Sequence, residues 1–415
     1  ERARMAMAGI KPSETKVTDK QVLSDVVKFM NSSMGLSADR KAFLEILRRS
    51  NDGMVFQFAS EQMKDDQEAA LESIRRRGIA FMYASPRLRS DPKVAWAAVR
   101  LDGRALQFAS DALRGDRSLV LEALKSYGGA LRHASPELRA DRFVVLEALR
   151  RDGHALQFAA KSLRSDKEIV LEAARLRGDA IVSASRELRA DPEVVLEALS
   201  RDGRALAAAS AELRSDPDIV IEAVRQNGMA LQFATKELRA DRDFVLRAVR
   251  EDGMALGGAR IDLRKDRDLV LEAVRNDGNA LQFVAEGLKG DKAVVTAAVK
   301  NQPRAIKYAA AGLRSRRDVL LPAIARDGSV LSLAPTGVRD DRQAVLCAVE
   351  SDGLALQFAT KQLRADREIV AKAIRSNPLA QMYAVDKPAR SSLATRIEVR
   401  KVAPRAWSKP PLMCR

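Results

Sequence analysis

Asp141 to Gly153 reads D-R-F-V-V-L-E-A-L-R-R-D-G, and this thirteen-residue phrase returns with side-chain variation down most of the 415-residue chain. Its closing glycine recurs at Gly53, Gly78, Gly103, Gly128, Gly153, Gly178, Gly203, Gly228, Gly253, Gly278, Gly328 and Gly353, always 25 residues apart or a multiple of 25. Pro303 and Pro378 stand at the two missed beats. A fixed period of roughly 20 to 50 residues marks a solenoid, in which each unit buries its core only against its neighbours. The repeat therefore overrides the about two or three globular domains that length alone would allow.

Counting from the glycine as position 0, position 2 is Ala or Val, position 3 is large and usually Leu, position 5 is most often Phe or Tyr, and position 6 is nearly always Ala. G-R-A-L-Q-F-A-S at 103–110 is representative, and positions 2, 3, 5 and 6 predict the apolar face of a short helix over positions 1 to 7. Position 7 is Ser or Thr in eight of thirteen repeats, followed by proline at Pro86 and Pro136. Ser at the N-cap with Pro in the first turn predicts a single tight turn with its Leu, such as Leu88, pointing inward.

Position 13 is Asp in twelve of thirteen repeats, which predicts a second N-cap and a helix over positions 14 to 23. The glycine after it is expected to stop that helix in a left-handed conformation. Positions 16, 17, 18, 20 and 21 are apolar, as in Val144, Val145, Leu146, Ala148 and Leu149, an arc suited to a helix wedged between neighbours in a stack. The predicted fold is all-α, an α-solenoid: a superhelical array of about thirteen 25-residue helical hairpins with N- and C-terminal caps. At roughly 10 Å per layer its contour would be on the order of 130 Å.

Three regions follow: an N-terminal extension and capping helices over 1–52, the solenoid over 53–377, and a C-terminal cap with a basic, Pro-containing tail over 378–415. Thr18 to Met30 has the spacing of an amphipathic helix, and Asp39 to Ser50 looks like a lengthened first copy of the repeated helix. Ser391 to Val402 is expected to cap the far end, with Trp407 folding back on the last repeat. Between Thr296 and Arg339 the pattern weakens: Pro303 replaces Gly, Arg316 replaces the capping Asp, and Pro322 falls inside a long helix. Interior proline removes a backbone hydrogen bond, so a shortened or kinked helix and altered curvature are expected there.

The repeated phrase G-x-A-L-Q-F-A-S-x-x-L-R-x-D-R-x-x-V-L-E-A-V-R-x-D-G resembles the family catalogued as domain of unknown function 4116, whose roughly 50-residue domain would correspond to two units here. The likeness runs from about Asp39 to Tyr383 and rests on the LRxD and ALQFAS phrases. It implies a source among protists or algae, and no particular activity.

The net charge is +16, with eight basic against two acidic residues after position 377. Such a balance favours acidic partners, RNA among them. Two cysteines, Cys347 and Cys414, and two histidines, His133 and His154, leave little material for a metal site or a disulfide framework. No cofactor, metal site or catalytic constellation is predicted, and no apolar run is long enough to span a membrane. The expectation is a chain that is not an enzyme.

A basic residue recurs at position 11, from Lys64 and Arg89 to Arg364. It is expected to tie hairpins together through the nearby Asp, a Glu or helix-end carbonyls, because the Asp two residues later would neutralise a phosphate-binding ladder. Candidate partner-binding residues are those the repeat leaves free: Arg104, His154, Arg204 and Arg304 at position 1, Lys307 at position 4, Arg316 and Arg317 in the weakened region, and Arg400, Lys401, Arg405, Trp407 and Lys409 in the tail. The reading that follows is a non-catalytic scaffold bridging protein subunits of a large complex, in a plastid or mitochondrion and with a photosynthetic or respiratory role. The alternative is an RNA-binding solenoid of an organellar ribosome or RNA-processing particle.

Overall fold

The computed structural model describes residues 36–50 and 52–385, and among them every regular element is helical. The chain divides into two compact units, Glu1–Ala285 and Glu286–Arg415. Within each, the all-α helical-repeat solenoid expected from the sequence is present. The expected helices at Thr18 to Met30 and Ser391 to Val402 lie outside the described residues.

Each repeat contains three elements rather than a two-helix hairpin. In the repeat that starts at Gly103 they are a 3-10 helix at Gly103–Phe108, one α-helical turn at Asp111–Arg114, and a ten-residue α-helix at Arg117–Ser126. Ser85 starts the short turn of its repeat by accepting from the Leu88 N–H, with Pro86 in the first position. Asp141 starts the long helix by accepting from the Phe143 N–H at 2.8 Å and the Val144 N–H at 3.1 Å. Each such cap is worth about 1 kcal/mol. A third cap was not expected: Asp102, just ahead of the glycine, accepts from the Arg104 N–H at 2.9 Å and starts the 3-10 helix.

Positions 16, 17, 20 and 21 of the long helix are buried, as at Val144, Val145, Ala148 and Leu149. Position 18 is not part of this face in most repeats; Leu146 is half-buried and Leu196 is exposed. Long helices pack on the long helices of neighbouring repeats, and 3-10 helices stack on 3-10 helices. Alanine at position 20 permits that approach.

The glycine does not serve as a left-handed stop. None of these glycines has a left-handed φ, and the long helices end in extended residues such as Asp102 (φ −150°). The requirement is steric instead: a Cβ on Gly103 would lie 2.2 Å from the Ala123 carbonyl oxygen, in the long helix of the same repeat. Glycine lets one repeat's 3-10 helix press against the end of the following long helix. Backbone hydrogen bonds also cross every described junction but the one at Pro335, because the position-7 N–H donates to the position-11 carbonyl one repeat earlier. Ser110 to Arg89 (3.1 Å), Ser135 to Arg114 (2.9 Å) and Ser185 to Arg164 (2.8 Å) are three such rungs.

In the second unit the weakened repeat keeps its elements. The long helix Arg317–Arg326 retains ten residues, so Pro322 does not shorten it. Pro322 lies on the exposed side, whereas Val319, Leu320, Ala323 and Ile324 keep the buried register. Arg316 makes no side-chain cap, and Pro335, having no N–H, cannot form its rung.

Candidate binding surface

The position-1 candidates occupy one register, and most are engaged locally. Arg104 is exposed and pairs with Asp102 at 2.8 Å, which raises its pKa. His154 is half-buried rather than fully exposed, with Nε2 3.5 Å from the Asp179 carboxylate of the next repeat. Arg204 is exposed and has no carboxylate partner among the described residues. In the second unit Arg304 lies 3.3 Å from Asp327 and donates to Ser329 Oγ at 2.7 Å. Lys307 sits 4.6 Å from the centroid of the Tyr308 ring.

Arg316 and Arg317 are not free cations either. Arg316 pairs with Asp318 at 2.9 Å, and Lys292 reaches the same carboxylate at 2.6 Å, so hydrogen bonds first from Arg316 and then from Lys292 hold Asp318 far below the usual carboxylate range. Arg317 lies 3.3 Å from Asp341. Arg400, Lys401, Arg405, Trp407 and Lys409 lie outside the described residues.

The position-11 row departs from expectation. Its neighbouring Asp does not neutralise it, because that carboxylate caps the long helix and pairs with the position-14 cation of the preceding repeat. Lys167 to Asp191 (2.7 Å) and Arg242 to Asp266 (2.7 Å) are examples. Position-19 glutamates pair with position-22 cations, as Glu122 does with Lys125 at 2.7 Å. Left over are half-buried arginines at 89, 139, 164, 189, 214, 339 and 364 whose Nε is buried with no hydrogen-bond partner among the described residues. Arg114 is an exception, pairing with Asp111.

At three junctions of the first unit the position-11 side chain comes near position 5 of the following repeat, Arg189 lining the same cavity as Ala208 in one of them. Arg239 Nε donates to the Gly258 carbonyl at 2.7 Å, and in another repeat Arg114 helps lower the His133 pKa, after burial and Arg132. Position 5 normally carries a half-buried ring, as at Phe108, Phe158 and Phe233. Three repeats of the first unit carry no ring there, at Ser183, Ala208 and Gly258, and the last two resolve the space differently. At Gly258, Arg239 and Arg264 turn inward, and Arg264 donates to the Ala259 and Gly257 carbonyls at 3.0 and 2.5 Å. Burial, with a contribution from Arg239, lowers the Arg264 pKa.

At Ala208 the space stays open. Ala208 is buried and lies in the wall of a cavity of about 640 Å³ that Arg186, Arg189, Ser210 and Arg214 also line. Glu187 and Glu212 border it, but each carboxylate is held first by its own backbone N–H and then by the serine at its helix start, Ser185 or Ser210, and both have lowered pKa values. The three guanidiniums have no carboxylate partner within ion-pair distance among the described residues. Sequence reasoning missed this recess. Its signal is Ala208 at a position where a ring is usual, and that signal acquires meaning only once positions 5 and 11 of successive repeats are known to meet.

Among the described residues no cluster of three or more His, Cys, Asp or Glu side chains is arranged to hold a metal ion. None of the described helices is long and apolar enough to cross a membrane. Cys347 is half-buried at position 19.

The family model described as Domain of unknown function (DUF4116) matches residues 39–89, 91–139, 141–189, 191–239, 241–289 and 341–384. Each match spans two of the 25-residue units, and the weakened stretch falls in the gap. The chain matches no curated protein.

Proposed function

We propose that this chain, which belongs to the DUF4116 family, is a non-catalytic scaffold that bridges protein subunits within a larger assembly. The observation that carries the reading is a division of labour in the repeat. Recurring residues serve the frame through caps, core and junctions, whereas positions 1 and 4 change from repeat to repeat and, apart from Gly129, lie exposed or half-buried along it. A frame of this kind offers a long surface on which many modest contacts add up, with a few sites dominating affinity. The basic balance of +16 favours acidic partners and is in keeping with a place in a plastid or mitochondrial complex. Native purification with mass measurement tests this: recovery in a protein complex of fixed stoichiometry is expected, and a chain that is monomeric in every native extract contradicts it.

A second reading, RNA binding, is favoured by one observation, the position-11 arginines whose Nε atoms have no hydrogen-bond partner among the described residues. A salt titration separates the two. RNA binding that falls steeply with ionic strength supports the second reading, and no binding at low salt removes it.

A further inference from the structure

We propose that the recess at Ala208 is a socket for the aromatic side chain of a protein partner, presented on a short acidic segment. The inference rests on the scaffold reading and names the chemistry of one of its contacts.

In the sibling repeats the chain supplies its own half-buried ring at this place, at Phe158 and Phe233 for example, and the guanidinium of Arg132 from the preceding repeat lies 5.3 Å from the Phe158 centroid. The frame around Ala208 is the same frame with that ring left out, so the group it fits is a phenyl or phenol ring. Absence of the ring does not by itself leave a hole, as Gly258 shows: there the backbone of the preceding repeat closes in, so that a Cβ would lie 2.5 Å from the Gln232 nitrogen, and Arg239 and Arg264 turn onto backbone carbonyls. Arg189 and Arg214 have not done so. Their Nε atoms are buried without a partner, and the space of about 640 Å³ remains open. A guanidinium stacks favourably on an aromatic face, which favours a ring over an aliphatic chain of similar size.

Charge selects what flanks the ring. Arg186, Arg189 and Arg214 have no carboxylate within ion-pair distance, while Glu187 and Glu212 are held first by their own backbone N–H and then by their serine caps, with Arg186 adding a weaker attraction to both. Aspartate or glutamate beside an incoming ring would complete these guanidiniums with charge-assisted hydrogen bonds. A volume well beyond one ring leaves room for those neighbours. The two glutamates also disfavour a nucleic-acid strand, whose phosphates cannot avoid them as discretely placed side chains can.

The test is fluorescence anisotropy on the full chain with three probes: an acidic nonapeptide with a central phenylalanine, the same peptide with a central alanine, and an oligouridylate of nine nucleotides. The phenylalanine peptide is expected to bind roughly tenfold more tightly than the alanine peptide. Ala208→Phe, which restores the usual ring, should abolish that difference without lowering the melting temperature. Ala208→Leu provides a second filling variant, since Leu333 occupies the same position of another repeat, and should act alike. Arg189→Gln should weaken the phenylalanine peptide. Equal binding of the two peptides, or a preference that survives both filling variants, overturns the proposal. So does tighter binding of the oligouridylate that the filling variants abolish. Should the peptide preference be absent while native complexes still form, the socket is wrong and the scaffold stands; a chain with no native complex rejects the scaffold itself.

Discussion

The repeat from Gly128 to Asp152 and the repeat from Pro303 to Asp327 carry very different local signals and form the same three elements. The first has its glycine, a Ser-Pro turn and a capping Asp141. The second has proline for glycine, alanine for the cap serine, Arg316 for the capping Asp and Pro322 within the helix. Both bury positions 2, 3, 6, 10, 16, 17, 20 and 21. Caps contribute about 1 kcal/mol each, whereas a buried leucine or valine contributes about 1.5–3 kcal/mol, so packing against both neighbours outweighs the missing signals. The interior pattern sets the fold, and caps refine it.

The largest expected effects should be alike in the two repeats. Leu131→Ala and Ile306→Ala remove equivalent buried side chains, and each should cost about 3 kcal/mol in urea unfolding. A far milder Ile306→Ala would show that the second repeat is held differently. Next, Gly128→Ala should cost about 2 kcal/mol, because its Cβ would lie 2.8 Å from the Ala148 carbonyl oxygen. Pro303→Gly should recover little, since that position already accommodates a side chain.

The caps should give opposite signs. Asp141→Ala should lose about 1 kcal/mol and Arg316→Asp should gain about as much, both read from the urea midpoint at constant slope. Equal and negligible effects would remove the caps from the account.

The smallest effect concerns acid. Hydrogen bonds from Lys167 and Arg242 lower the pKa values of Asp191 and Asp266 below the ordinary 3.8. Their stabilising contribution is therefore present above about pH 4 and is lost as pH falls through the lower folded-state values. Asp318, lowered mainly by Arg316 and Lys292, should behave the same way in the second unit. Unfolding followed from about pH 6 to about pH 2 should show this loss only at the acid end, and Asp191→Asn should make it shallower.

Much of the frame is legible in the sequence. Ser85-Pro86, Asp141 and the apolar positions Val144, Val145, Ala148 and Leu149 state their roles through local chemistry, and the structure matches them, Leu146 excepted. The glycine misleads because a left-handed stop and a close approach both demand glycine, and only the packing of the long helix later in the same repeat distinguishes them. The 3-10 helix is hidden for a related reason: its cap, Asp102, immediately follows the long helix and reads as part of that helix's end. Arg189 reads as a neutralised residue because Asp191 is near in sequence, yet that carboxylate faces Lys167. Ala208 reads as a conservative variation. Its partner across the recess lies 19 residues away, in the preceding repeat.

The most direct test of the central claim, that this chain is a protein-docking scaffold, is purification from a nuclease-treated native extract, comparing the wild-type chain with Ala208→Phe and Arg189→Gln. The account predicts a protein partner of fixed stoichiometry that survives nuclease, and its loss or marked depletion with either variant. A wild-type chain recovered alone, or held to its partners only while RNA is intact, would contradict it.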